Sequence, residues 1–254
     1  MERLLDDTPL STPEKFYVSC TSISIIIPCF NEAQTIEHAI KRVLSAESAK
    51  LTKQIIVVDD GSTDRSAELV EEILLKYPAV KLVRHPVNLG KGAAIRSGFN
   101  AATGDIVLIQ DADLEYSPSD YPKLLAPILD GRADVVYGSR FRGGAEGSVL
   151  YFWHAIGNSF LTLLSNMFTN LTLSDMETGY KVFRKEVIEG ISLQENRFGI
   201  EPEITAKISK LAARQRFYEV GISYSGRTYA DGKKVNWKDG FRAIYCIFRY
   251  NLFP

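Results

Sequence analysis

Four short runs of acidic and polar residues, each directly after an apolar β-type run, constrain this chain more than any other feature. Ile23 to Ile27 closes on Pro28 and leads into Cys29-Phe30-Asn31-Glu32. Ile55 to Val58 leads into Asp59-Asp60-Gly61-Ser62, and Ile106 to Ile109 leads into Asp111-Ala112-Asp113. Val135 to Tyr137 ends in Gly138-Ser139-Arg140. Between the first runs, Ile36, Ala39, Ile40, Val43 and Leu44 recur at helical spacing, with Thr35 or Asn31 as the cap. Leu69, Val70, Ile73, Leu74 and Tyr77 do the same before Pro78 stops them, with Ser62 or Asp64 as the cap. Val80 to Arg84 supplies a third strand and Gly92 to Ala102 a third helix, which Gly104 breaks. Strand–helix alternation of this kind predicts an α/β fold, a doubly wound and mostly parallel sheet with helices on both faces. Ligands of such sheets bind beyond the carboxyl ends of the strands. All four polar clusters are therefore expected on one edge.

Composition narrows the class of function. Of 254 residues 45% are apolar and 24% charged, the balance of an ordinary globular chain. A chain of this length buries roughly 70–75% of its unfolded surface and folds without a metal or disulfide, so any metal answers to chemistry. Lys plus Arg number 30 and Asp plus Glu 31, giving a net charge of −1 and no general attraction for nucleic acid. Three scattered cysteines, Cys20, Cys29 and Cys246, make neither a disulfide framework nor a zinc site. Together with acidic Glu2, Asp6 and Asp7, where a leader would be basic, they predict a cytoplasmic protein. Residues 1–22 read as a tail, and 23–254 as a single catalytic domain whose C-terminal part begins at about 147.

That C-terminal part changes character. Gly147 to Ser174 holds no Asp, Glu, Lys or Arg, yet lacks the sustained apolarity of a spanning helix. Ile156, Phe160, Leu163, Leu164, Met167, Phe168 and Leu171 form one helical stripe, with Asn158, Asn166 and Asn170 off it. Such a stripe ordinarily packs on the sheet. The sharper expectation is that Val149 to Trp153 and part of this helix lie at a membrane surface, helped by Arg242 and Arg249 in the terminal helix. A helix near Pro202 to Ala212, a strand Tyr218 to Tyr224 and a helix Trp237 to Tyr250 complete the pattern.

Directly after a strand, residues i and i+2 point the same way, so Asp111 and Asp113 face one site and Glu115 continues the phase. Two or three oxygen ligands with room for water suit Mg2+ or Mn2+, which bridge carboxylates to phosphates. An acidic surface turn is the plainer explanation, and the wholly apolar strand before it argues against that. Asp59 and Asp60 are not needed for a cap, and a carboxylate at a strand end can accept from a nucleobase edge or a ribose hydroxyl. Asn88-Leu89-Gly90-Lys91-Gly92 lacks P-loop spacing, yet Lys91 at a helix start is a plausible anion contact. No GxGxxG follows the first strand, which disfavours a nicotinamide enzyme. Glu201-Pro202-Glu203 fits helix-start chemistry and an active-site role equally. His38, His85 and His154 are not spaced as metal ligands and read as packing or surface residues.

The strings Ile25 to Glu32, Val57 to Asp64, Asn88 to Gly92 and Asp111 to Leu114, in that order, resemble the family-2 glycosyltransferases of the GT-A fold. Within them the chain is most similar to the dolichyl- or polyprenyl-phosphate mannose and glucose synthases. The resemblance covers nearly everything from Ile23 to about Tyr250. It implies an inverting, metal-dependent hexose transfer from a UDP-glucose or GDP-mannose type donor to a polyprenyl phosphate, on the cytoplasmic face of a membrane. A soluble member acting on a saccharide or small-molecule hydroxyl is the alternative. By position, Pro28, Phe30, Asn31, Glu32, Asp59 and Asp60 would hold the nucleoside, together with Lys91 and Ala112. Asp111, Asp113 and Glu115 would hold the metal, Glu115 standing where family members commonly have Gln. Arg140 would lie near the phosphates. Asp175, Thr178, Gly179 and Lys181 would line the acceptor side. Arg227, Lys233 and Lys234 match a basic loop closing over both substrates. A phosphate monoester acceptor is already anionic and needs only cationic positioning by Arg140, Arg227 and Lys234. An alcohol would need a carboxylate within about 3 Å, for which Asp175 and Glu203 are the candidates.

Overall fold

The computed structural model describes residues 19–142, 151–211, 215–226 and 237–253. Its first half alternates as the sequence predicts: β1 (Ser22–Cys29), α1 (Ile36–Ser45), β2 (Thr52–Asp59), α2 (Ser66–Leu74), β3 (Val80–Arg84), α3 (Lys91–Ala101) and β4 (Ile106–Ile109). Then follow α4 (Tyr121–Leu129), β5 (Val135–Ser139), α5 (Phe152–Thr169), β6 (Lys181–Arg184), α6 (Lys185–Glu189), α7 (Ile200–Ser209), β7 (Phe217–Gly221) and α8 (Trp237–Leu252). The described strands form one seven-stranded sheet in the order β3-β2-β1-β4-β6-β5-β7. Every pairing is parallel except those of β6, which runs antiparallel to both β4 and β5. The sequence reading of a mostly parallel α/β sheet holds.

Alternation along β1 divides the core. Ile23, Ile25 and Ile27 pack with Ile36 and Ile40 of α1, Val70 of α2 and Leu124 of α4 on one face. Ile26 packs with Ile56, Val58 and Ala94 of α3 on the other. Near β5 that second face continues through Tyr137 and Phe183 to Ile200 and Ile204 of α7 and Ile247 of α8. Both faces of the central strands are covered, which is why those strands read as continuous apolar runs.

Several local expectations change. Thr35 stands at the start of α1, but its hydroxyl donates to the Glu32 carboxylate at 2.7 Å rather than capping the helix. Asp64 accepts from the Ser66 N–H at 2.9 Å at the start of α2, whereas Ser62 Oγ accepts from Asn31 N at 3.0 Å. The strand expected over Tyr218 to Tyr224 is shorter, β7 ending at Gly221, with an isolated bridge from Tyr224 to Tyr116. The largest difference is in α5. Its inward side is Thr162, Ser165 and Thr169, packed toward α7 and α8, and the apolar stripe is split: Leu164, Phe168 and Leu171 pack on the core, while Ile156, Phe160, Leu163 and Met167 point outward. Leu163 is 60% exposed, Met167 72% and Trp153 78%. Asn158 and Asn166 face the protein: Asn166 Nδ2 donates to Leu173 O at 2.7 Å and its Oδ1 accepts from Leu173 N at 3.1 Å.

Candidate active site

The carboxyl ends of β1, β2, β4 and β5 open into a cleft of about 880 Å3. Pro28, Phe30, Glu32, Asp60, Lys91, Asp111, Ala112, Asp113, Glu115 and Arg140 all line it. The convergence expected from the spacing of the four clusters is therefore present. Asn31 and Asp59 stand behind the rim. Asn31 adopts a left-handed conformation (φ 51°), and its Oδ1 accepts from Thr63 N at 2.8 Å, joining the loops after β1 and β2. Asp59 is buried, accepts weakly from Ser62 N at 3.3 Å and lies 3.8 Å from Arg84.

Asp60 is buried and organises the loop opposite it. Its Oδ1 accepts from Leu89 N at 3.0 Å and its Oδ2 from Gly90 N at 2.7 Å. His85 Nδ1 lies 2.7 Å from Oδ1, and its Nε2 lies 2.8 Å from Ser97 Oγ. His85, expected to be an ordinary packing residue, thus links the β2 carboxylate to α3. Gly90 sits at φ 105°, and a Cβ there would meet the Asn196 carbonyl at 2.3 Å, so the turn that delivers Lys91 requires glycine.

Lys91 Nζ lies 3.0 Å from Asp111 Oδ1 and 3.1 Å from Glu201 Oε1. Burial opposes the ammonium, but the two carboxylates outweigh it and hold the Lys91 pKa above its ordinary range. The donor set fits a small hard cation: Asp111 and Asp113 offer carboxylate oxygens on one rim, and Lys91 shows that a positive charge is stable beside Asp111. No cluster of three His, Cys, Asp or Glu ligands occurs among the described residues. The fit is thus to Mg2+ or Mn2+ held by one or two carboxylates plus water and phosphate, and not to an all-protein cage. Asp113 Oδ1 accepts from Glu115 N at 3.1 Å, and Glu115 Oε2 accepts from the Tyr224 hydroxyl at 3.0 Å. Gly179 closes on this rim from the β6 side, where a Cβ would stand 2.2 Å from Asp111 Oδ2. Its N–H donates to the Tyr116 hydroxyl at 2.9 Å.

Arg140, at the end of β5, is gripped by Asp175: Nε and Nη2 each donate across 2.7 Å to separate carboxylate oxygens, and Nη2 also donates to Asn158 Oδ1 at 3.2 Å. Asp175 is completely buried, and its backbone is set by β7, since Ser174 N and Asp175 N both donate to Glu219 Oε1. Asp175 therefore positions Arg140 and does not line the cleft. Glu203 is a second correction. It is completely buried, and its two oxygens accept from Gln194 N and Glu195 N at 2.7 Å, with Lys207 alongside. Helix geometry explains this, because Glu203 lies in the first turn of α7 and its carboxylate takes up the N–H groups of the loop before the helix. Its neighbour Glu201 reaches the cleft instead.

Thr178 and Lys181 are buried beneath the rim, Lys181 donating to the Thr178 carbonyl and lying 4.9 Å from the Tyr137 ring centroid. Burial lowers the Lys181 pKa below its ordinary value, against the raising influence of Glu201 and Glu177. Glu177, which sequence reasoning passed over, lines the cleft, and burial reinforced by Glu201 pushes its carboxyl up to about 8. Tyr116, Arg197, Phe198 and Tyr224 also reach the cleft without having been singled out. Arg227, Lys233, Lys234 and Val149 lie outside the described residues.

Comparison with known proteins agrees with this arrangement. Residues 24–192 match the family described as Glycosyl transferase family 2. A dolichol-phosphate mannosyltransferase of Pyrococcus furiosus is 32% identical over 230 residues, covering 90% of this chain and 64% of that protein. An undecaprenyl-phosphate 4-deoxy-4-formamido-L-arabinose transferase of Proteus mirabilis is 27% identical, covering 88% of this chain and 65% of that protein. The chain thus spans a little under two thirds of the length of these relatives. The glucosyl-3-phosphoglycerate synthase of Mycobacterium tuberculosis, crystallised with Mn2+, UDP and glucosyl-3-phosphoglycerate, superposes with a TM-score of 0.71 at 20% identity. That alignment covers 92% of this chain and 81% of the synthase. With the family matched over most of its length and the sheet order, acidic rim and basic β5 end in place, the chain belongs to glycosyl transferase family 2 and has the GT-A fold.

Proposed function

We propose that the protein transfers a hexose, with inversion, from a nucleotide sugar to a polyprenyl phosphate, using Mg2+ or Mn2+ held at Asp111 and Asp113. One observation carries this reading: Asp60, the Asp111–Asp113 pair, Lys91 and Arg140 line a single cleft bordered by α5 and α8, both of which also expose large apolar side chains. In this reading Pro28, Phe30, Glu32 and Asp60 hold the nucleoside, with Asn31 and Asp59 fixing the loops that present them. Asp60 already anchors the Leu89–Gly90 turn, and its carboxylate retains lone pairs for a base or ribose donor. When bound, the cation supplies charge stabilisation for the departing nucleoside diphosphate. Lys91 and Arg140 add fixed positive charge to the same region. The Asp175 and Asn158 contacts occupy Nε and Nη2 of Arg140, which leaves the Nη1 donors for an acceptor phosphate.

The state of the candidate bases supports a phosphate acceptor. Both Asp175 oxygens are held by Arg140, and both Glu203 oxygens accept backbone N–H groups. Neither is placed to take a proton from an alcohol, whereas a phosphate monoester carries its own negative charge. The names of the relatives point the same way. Outward-facing Tyr151, Phe152 and Trp153 beside the cleft, continued by Phe160 and by Phe241 and Tyr245 of α8, suit a peripheral seat at the lipid interface. Among the described residues no helix is long and apolar enough to cross a membrane. Arg227 and Lys234 are assigned to the closing basic loop by resemblance.

The test is a product assay on the full chain with UDP-glucose or GDP-mannose, Mn2+ or Mg2+, and either a polyprenyl phosphate or the matching polyprenol. Hexose transfer to the phosphate alone is the expected result. Transfer to free hydroxyl acceptors in preference to the phosphate would replace this reading with the soluble alternative.

A further inference from the structure

Beneath the metal-side rim the cleft holds a second acidic surface. Glu201 is 6% exposed and lines the cleft, yet its Oε2 is fully buried and has no hydrogen-bond partner among the described residues. Glu177 lines the same cleft, and its Oε1 is buried without a partner as well. The two come from separate elements, the loop before β6 and the first turn of α7. An unsatisfied buried carboxylate oxygen is destabilising, so two at one place are a standing penalty unless a ligand meets them.

The chemistry of that ligand is restricted. Carboxylate oxygens repel phosphates and attract O–H donors. Lys91 marks the border between the two halves, since its ammonium is held by Asp111 on one side and Glu201 on the other. The part of a nucleotide sugar rich in hydroxyl donors is its hexose. Resting on the donor class proposed above, we infer that Glu201 and Glu177 form the hexose-reading subsite, each carboxyl turning the oxygen left unpaired among the described residues into the cleft to accept a hydrogen bond from a sugar hydroxyl. Hexose hydroxyls both donate and accept, so the subsite serves Glu177 with or without its proton. Glu201 has a further positioning role, because its other oxygen aims Lys91 toward Asp111.

Binding measurements on the full chain with Mn2+ separate this subsite from the rest of the cleft. Titrations of UDP, UDP-glucose, GDP and GDP-mannose are compared for the wild type, Glu177→Gln and Glu201→Gln. Binding of neither nucleotide nor nucleotide sugar by the wild type would overturn the donor class itself. With binding present, Glu177→Gln should lose about five- to tenfold in affinity for the nucleotide sugar and less than twofold for the bare nucleoside diphosphate, whereas Glu201→Gln, which also loosens Lys91, should lose affinity for both and more for the sugar nucleotide. Glu177→Gln leaves the Lys91 contacts untouched and is the cleaner variant. Equal losses for diphosphate and sugar nucleotide in Glu177→Gln, or no loss in either variant, would overturn the subsite while leaving the donor class standing. A deoxy-hexose donor lacking the contacted hydroxyl should bind the wild type and the matching variant with equal affinity.

Discussion

Arg140 and Asp175 are joined by two parallel hydrogen bonds of 2.7 Å, and the carboxylate of this pair has no solvent exposure. The planar guanidinium fork fits the carboxylate in a way an ammonium cannot. Arg140→Ala would leave a buried charge uncompensated, with an expected loss of about 3–5 kcal/mol of stability. Arg140→Lys should keep most of the fold and lower kcat/KM by roughly 100-fold, because the charge is retained but its aim is lost. Thermal unfolding together with steady-state transfer rates separates the two effects.

The acidic rim gives a second expectation. Asp111→Asn and Asp113→Asn should each lower turnover by at least about 100-fold and weaken Mn2+ binding in parallel, since the cation has few protein ligands to spare. A chelator should abolish wild-type turnover, and added Mn2+ or Mg2+ should restore it. Manganese titration followed by electron paramagnetic resonance provides the check.

Gly179 offers a sharper test of the same rim. A single methyl placed there would stand 2.2 Å from Asp111 Oδ2, so the Gly179→Ala variant must move either the loop or the carboxylate. Overpacking of this kind costs about 1–3 kcal/mol. The expected outcome is a folded protein with reduced Mn2+ affinity, visible as a raised metal requirement in the transfer assay.

The outward stripe of α5 predicts vesicle binding. Ile156, Phe160 and Met167 are all mostly solvent-facing, so replacing the three with serine should shift the melting temperature little. Partition onto anionic vesicles should fall by roughly 100-fold, from the apolar area withdrawn from the interface. Flotation assays of wild type and variant measure this, and equal flotation would sink the peripheral seat.

Asp105 sets an acid limb for stability. Its Oδ2 accepts from Thr21 N and Oγ1 and from Ser22 N and Oγ at 2.8–3.0 Å. The Thr21 backbone bond, followed by these hydroxyls, lowers its pKa below the ordinary carboxylate value. The sign is then fixed: the contribution is fully present above the unfolded value of about 3.9 and is lost as pH falls through the lower folded value. Asp105→Asn should lose about 1–2 kcal/mol at pH 7, and the gap to wild type should narrow below pH 4 in denaturant titrations.

Much of this architecture is legible in the amino-acid order, and the illegible parts have physical causes. Strands buried on both faces, such as Ile55 to Val58, announce themselves because nothing polar is tolerated there. β6 does not, because it begins with Lys181 and ends with Arg184, charged residues that are nevertheless buried beside Tyr137 and Asp134. α4 carries Pro122 and Pro127 in nine residues and looks like a loop. Periodicity located α5 but could not tell its inner face from its outer one, since Thr162, Ser165 and Thr169 are its most buried residues and apolar side chains lie on both sides of them. The choice of Asp175 and Glu203 as bases failed for a related reason: spacing shows that a carboxylate is near a site, but not whether the backbone has already claimed its oxygens. Asp60, Asp111 and Asp113 were accessible to sequence reasoning because they follow strands whose direction was already fixed.

The reversed strand β6 has an architectural consequence. Where every strand runs the same way, only outgoing connections can reach the working edge, and each must also launch a helix. Because Lys181 pairs with Ile109 at the far end of β4, the segment leading into β6 arrives at that edge with no helix to begin. Residues 174–180 therefore serve the edge without also having to start a helix, which is how Asp175 can grip Arg140 and Gly179 can close on Asp111 from the same short segment.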